Sequence, residues 1–108
     1  MFWSLFSIAV GFCFLAQLFD DIESERGIKA GVAIEAFTWI IGSKPSFLAY
    51  FLRDSLLLAA VTAPSLVLHF VHSPATLAAL AAPVVYGVKH ILGGRAWLAF
   101  LKKFGYGD

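Results

Sequence analysis

Charge is what this chain has least of. Its 108 residues include 8 Lys and Arg and 7 Asp and Glu, 14% of the total, against 60% hydrophobic residues. A soluble domain carries about 25% charged residues. Mean hydropathy, +0.84, points the same way. Residues 1–19 contain no Asp, Glu, Lys or Arg, and neither do 55–71 or 75–88. With no clustered basic face outside the last turn or two, nucleic-acid binding has no support. The one cysteine, Cys13, cannot form an intrachain disulfide. It lies in an apolar run without the electropositive setting that activates a thiol, so it reads as helix packing. No nucleophile–base pair, Gly-rich phosphate loop or metal-spaced Cys/His cluster is present. We therefore expect no enzyme: no catalytic residue, no cofactor, no metal and no small-molecule substrate. No basic stretch precedes Met1-Phe2-Trp3 and no Ala-x-Ala follows, so the first apolar run is expected to stay as an anchor.

What is present reads as a single all-α membrane domain over 1–108, with three crossings at about 1–19, 47–71 and 75–92. A helix needs roughly 20 residues to cross the hydrocarbon core, and these runs have about that length. Asp20-Asp21 is expected to end the first crossing, and 20–29 to form a polar helical connection with a Glu25–Lys29 pair four apart. Residues 28–41 read as an interfacial helix: the stretch from Ala30 to Ile41 is apolar except for Glu35, is too short to span, and is separated by Pro45 from the next helix. Pro64 and Pro83 are expected to kink their helices. Ser73-Pro74, in the turn between the second and third crossings, is a helix-start signal. After Gly93-Gly94 an amphipathic helix over 95–104 puts Trp97, Phe100, Leu101 and Phe104 on one stripe, to lie in the headgroup region. Three crossings put all eight basic residues on one side, whereas a fourth crossing through 30–41 splits them two and six. The positive-inside rule favours three, with the N-terminus outside and the C-terminus inside.

The side chains singled out are anchors and packing surfaces. Trp3, Arg53, Arg95, Trp97, Lys102 and Lys103 suit the lipid interface, the long cations by snorkelling. Ala75, Ala78, Ala79 and Ala82 recur at helical spacing and form a thin face for a neighbouring helix of this chain or a partner. Arg53 and Asp54 are adjacent, point about 100° apart and are expected to pair poorly. Glu35 with Arg53, across helices, is the candidate buried ion pair. His69 and His90 differ in height by roughly 20 Å, so one iron cannot reach both. Any ligand role for His69, His72 or His90 needs a partner to supply the rest of the site. A proton or ion path calls for more acidic positions at depth than the pattern offers.

Four short stretches also bear a likeness. Leu18-Phe19-Asp20-Asp21-Ile22-Glu23, Val32-Ala33-Ile34-Glu35-Ala36-Phe37-Thr38-Trp39, then Arg53, then Ala82-Pro83-Val84-Val85, are similar in kind and spacing to the mitochondrial fission process protein family. The link Gly42-Ser43-Lys44-Pro45 departs from that pattern. The resemblance implies a non-catalytic protein of the inner mitochondrial membrane concerned with membrane integrity and fission.

The function expected from the residues is that of a structural, accessory subunit in a larger membrane complex, plausibly a respiratory or ATP synthase assembly of the mitochondrial inner membrane. A bacterial inner membrane is the alternative location. Its partners would be other membrane-protein subunits and phospholipid. The competing functional readings are the fission or integrity factor and a holin-like or channel-like homo-oligomeric pore.

Overall fold

A computed structural model describes residues 1–31, 45–103 and 105. Its described residues form α1 (Phe2–Lys29), α2 (Phe47–Phe70), the single turn α3 (Thr76–Ala79) and α4 (Ala81–Lys103). There is no strand among them, and three helical segments, Phe2–Lys29, Phe47–Phe70 and Thr76–Lys103, are long and apolar enough to cross a membrane. The all-α reading with three such helices holds.

Two expected boundaries move. Helix α1 does not stop at Asp20-Asp21 but runs on to Lys29. Local ion pairs support this extension: Arg26 Nη1 lies 2.9 Å from Glu23 Oε2, and Lys29 Nζ lies 3.2 Å from Glu25 Oε1. Pairs at i,i+3 and i,i+4 hold a helix that carries charge, so an acidic run at a span's end need not terminate it. The second correction concerns 95–104. It is no separate interfacial helix, because α4 continues through Gly93-Gly94 to Lys103. These glycines serve close approach to α1 instead of ending the helix.

Helix α2 starts where Ser46 Oγ accepts the Ala49 N–H at 3.2 Å, an N-cap satisfying one of the free donors of the first turn. Glu25 also accepts the Phe47 N–H, at 2.5 Å, tying α1 to the start of α2. Pro64 lies inside α2, which runs on without a break to Phe70. The turn after α2 puts His72 at φ 56°, a left-handed conformation that ends the helix. Ser73 Oγ then accepts the Ala75 N–H at 3.1 Å. Pro83 explains the interruption between α3 and α4: its ring stands against the carbonyl four residues back, that of Ala79, where α3 ends.

Contacts along the helices set the topology. Gly87 faces Phe12 and Cys13, Gly94 faces Phe19, and Gly27 faces the Trp97 ring, so α1 and α4 run parallel. Phe2 stacks on His69 with centroids 4.0 Å apart, and Gln17 Nε2 donates to Ser55 Oγ at 3.0 Å, so α2 runs antiparallel to α1. The bundle is up-down-up, and α1 packs most extensively on α4. Described basic residues Arg26, Lys29, Arg53, Lys89, Arg95, Lys102 and Lys103 therefore fall at or beyond one level, toward the end where α1 and α4 finish. Residues 32–44, with Glu35, most of the expected interfacial helix and Lys44, lie outside the described residues, as does Phe104.

Small residues in lipid allow backbones to approach, and here glycine plays that part. A Cβ on Gly87 would meet the Phe12 ring at 2.6 Å and the Cys13 backbone at 3.2 Å, whereas one on Gly11 would meet nothing within 4 Å. Gly87→Val should destabilise the bundle by about 2 kcal/mol, a typical overpacking cost. Gly11→Ala should be neutral or stabilising by up to about 1 kcal/mol, through helix propensity. Thermal unfolding of both variants in detergent, followed by circular dichroism, checks the contrast.

Candidate functional site

One depth of the bundle holds most of its buried charge. Asp20 and Asp21 come from α1, Arg53 and Asp54 from α2, and Tyr86 and His90 from α4. Measured from the helix ends that share a face, Asp20 is 18 residues past Phe2, Asp54 is 16 before Phe70 and His90 is 14 past Thr76. At helical rise these are heights of roughly 27, 24 and 21 Å. The three helices thus deliver their ionisable side chains to one layer, near the inner end of the apolar windows.

Geometry within the layer is specific. Asp20 Oδ2 lies 2.7 Å from His90 Nδ1, and Asp20 Oδ1 accepts from Ser24 Oγ at 3.2 Å. Arg53 Nε donates to Asp54 Oδ1 at 3.1 Å, and the Arg53 guanidinium lies 5.6 Å from the centre of the Tyr50 ring. Tyr86 meets His90 edge to face at 4.5 Å. Asp21 lies beside Asp54. Asp21, Asp54 and His90 are each no more than 1% exposed. Even so, both oxygens of Asp21, Oδ2 of Asp54, Nε2 of His90, the Tyr86 hydroxyl and Oε1 of Gln17 lack a hydrogen-bond partner. Buried polar groups are almost always paired, and in this layer a carboxyl proton shared between Asp21 and Asp54, water or an ion would supply the partners.

Two readings of the sequence are corrected here. Arg53 is not an interfacial anchor; it is 8% exposed. It also pairs with its sequence neighbour Asp54, because out of water a guanidinium curls back to a carboxylate that it would ignore in solvent. The expectation of too few acids at depth fails as well, since α1 and α2 together bring three to one place.

The remaining expected sites scatter. Trp3 is 51% exposed at the opposite end, in an aromatic group with Phe2, Phe6, His69 and Phe70. Trp97 packs against Gly27 and Leu101 is buried, so that stripe faces α1 more than headgroups. Arg95, Lys102 and Lys103 are exposed, as an anchoring role requires. Ala75, Ala78 and Ala82 are exposed and Ala79 half-buried, so most of the alanine face points away from the described helices. His69 and His90 lie at separate levels, as their heights foretold. His72 is exposed in the turn.

Spacing along the chain does not group Asp20, Asp21, Asp54, Tyr86 and His90 as a site; the height of each ionisable residue above a common end of the helices does. Compared with protein-family models, curated proteins and solved structures, the chain matches none.

If the layer is structural, each member should be needed; if it holds excess negative charge for a purpose, removing that excess should help the fold. Asp54→Ala takes the carboxylate from a buried guanidinium and should cost about 3 kcal/mol. Asp21→Asn removes a buried carboxyl group crowded against Asp54 at constant shape and should leave stability unchanged or raise it by about 1 kcal/mol. Unfolding of both variants in metal-free detergent buffer, against the unaltered chain, decides between the two roles.

Proposed function

We propose that this chain is a non-enzymatic, membrane-embedded accessory subunit that contributes an ion-binding centre to a larger membrane assembly. One observation supports the reading above others: three carboxyl groups and one guanidinium share a layer in which both oxygens of Asp21 and one of Asp54 are buried without a geometric hydrogen bond. Ionisable side chains at membrane depth are expensive, and they persist where protons or ions are handled.

Accessory standing follows from how the layer is closed on one side. Above it, toward the N-terminal end, α1 presents Cys13, Ala9 and Phe2 to the bundle interior, all buried and apolar. The α2 hydroxyls at that height are spent on their own helix: Thr62 Oγ1 donates to the Leu58 carbonyl at 3.0 Å and Ser65 Oγ to the Thr62 carbonyl at 2.8 Å. Phe2 stacked on His69 closes the end. Three helices of this kind make a site reached from one face; a path through the membrane needs further helices from neighbours. Among the described residues eighteen large apolar side chains remain exposed, Ile8, Leu15, Leu52, Leu56, Val67 and Val85 among them, and lipid or such neighbours cover them. We place the assembly in an energy-coupling membrane, mitochondrial inner or bacterial inner. The one-sided basic residues suit insertion there, and the likeness to the fission process family favours the first.

Reconstituted alone in liposomes, the chain should pass no protons or metal ions above the rate of empty vesicles. In mild detergent from native membranes it should elute in a complex of mixed composition. Flux by the purified chain, or a ring made of this subunit only, would overturn the accessory reading in favour of a pore.

A further inference from the structure

We propose that Asp20, Asp54 and His90 together bind one divalent first-row transition-metal ion at the inner end of the bundle. The proposal rests on reading the layer as an ion-binding centre and names its ligand. Each of the three residues offers one ligand atom, and these atoms all lie within 4.8 Å of one another. Around an ion held at about 2.0–2.2 Å, ligand atoms stand roughly 3–4 Å apart. Closing the triangle therefore needs carboxylate rotations of less than about 1 Å, with no movement of the helices.

Open valences supply the second, independent support. Asp54 Oδ2 and His90 Nε2 are buried without a hydrogen-bond partner, and so are both oxygens of neighbouring Asp21. Asp20 is held by the Ser24 hydroxyl, and its Oδ2 lies 2.7 Å from His90 Nδ1, so these two donor atoms already stand side by side. Gly93 keeps that carboxylate free: a Cβ there would come within 3.1 Å of both Asp20 oxygens.

Charge and ligand type narrow the ion. The two carboxylate ligands, Asp20 and Asp54, carry the charge that a divalent cation cancels. Two carboxylates with an imidazole suit Mn²⁺, Fe²⁺ or Zn²⁺. Ca²⁺ wants six or more oxygens, and Mg²⁺ keeps most of its water, so neither matches a dry site with a nitrogen donor. Three protein ligands also leave coordination positions that Asp21, water or a neighbouring subunit can fill.

The test uses the full chain in detergent, stripped with chelator, then equilibrated with Zn²⁺, Mn²⁺ or Mg²⁺ and gel-filtered before metal analysis. About one Zn²⁺ or Mn²⁺ per chain should be retained, and no Mg²⁺. Asp54→Asn and His90→Gln should weaken binding at least about tenfold, while His72→Gln, in the turn at the opposite end, should leave it unchanged. Failure to retain either metal, or equal retention by Asp54→Asn and His90→Gln, overturns the proposal. Should those variants misfold, Co²⁺ added to the unaltered chain decides: visible ligand-field bands support the site, and the spectrum of hexaaqua Co²⁺ sinks it. The broader reading is separable. If no metal binds but Asp21→Asn still raises stability in chelator, the layer remains an ion centre, with protons as its cations. If neither holds, both readings fall.

Discussion

The contact between Asp20 and His90 ties the longest helix of the bundle to the last one, and the rest of the architecture is arranged to permit it. A carboxylate and an imidazole 2.7 Å apart need their backbones close. That closeness comes from glycine: Gly93 leaves room beside the Asp20 oxygens, and Gly94 leaves room for the Phe19 ring, where a Cβ would stand 2.5 Å from the nearest ring atom. Two turns earlier Gly87 receives Phe12, and about one turn later Trp97 lies in the space above Gly27. The helices meet along a seam of absent side chains, and the polar contact sits in its middle.

Such a seam matters more in lipid than in water. Hydrocarbon tails are as apolar as leucine, so burying apolar surface between helices gains little there, and dispersion across closely fitted backbones has to hold them. Against that modest gain stands a layer that is costly to assemble. Withdrawing carboxylates and a guanidinium from water costs several kcal/mol per ion, and the Arg53–Asp54 pair at 3.1 Å offsets part of it. Asp21, set beside Asp54 at that depth, adds to the cost of assembling the layer.

How much of this could be read from residues alone differs sharply between fold and site. The three spans follow from the uncharged runs 1–19, 55–71 and 75–88, since hydropathy and helical rise need no tertiary information. Helix ends were less legible. Asp20-Asp21 and Gly93-Gly94 look like terminators in one dimension, yet both lie mid-helix because the partner across the seam, not local propensity, decides whether charge or glycine is tolerated. The layer itself was hidden by sequence distance. Asp20, Asp54 and His90 stand 34 and 36 residues apart (54 − 20 and 90 − 54), and each alone looks like an interfacial residue at the end of a span. Only equal heights on three helices reveal that they converge, and azimuth around each helix, which decides inside from outside, is not carried by a run of near-uniform hydrophobicity. The alanine stripe shows the same limit: its spacing was legible, but Ala75, Ala78 and Ala82 turn outward.

Asymmetry along the bundle axis constrains any use of the layer. At one end the Phe2–His69 stack, with Trp3 edge-on to that imidazole, makes a plug of aromatic rings. At the other, Lys89, Arg95, Lys102 and Lys103 are exposed at or beyond the level of the acidic layer. A cation drawn to three carboxylates from the basic end passes a repulsive rim that weakens with salt, because exposed charges are screened within about 10 Å at ordinary ionic strength. The buried layer is screened far less. Entry would therefore speed up with ionic strength while the depth of the well stayed nearly constant, a kinetic signature opposite to that of a surface acidic patch.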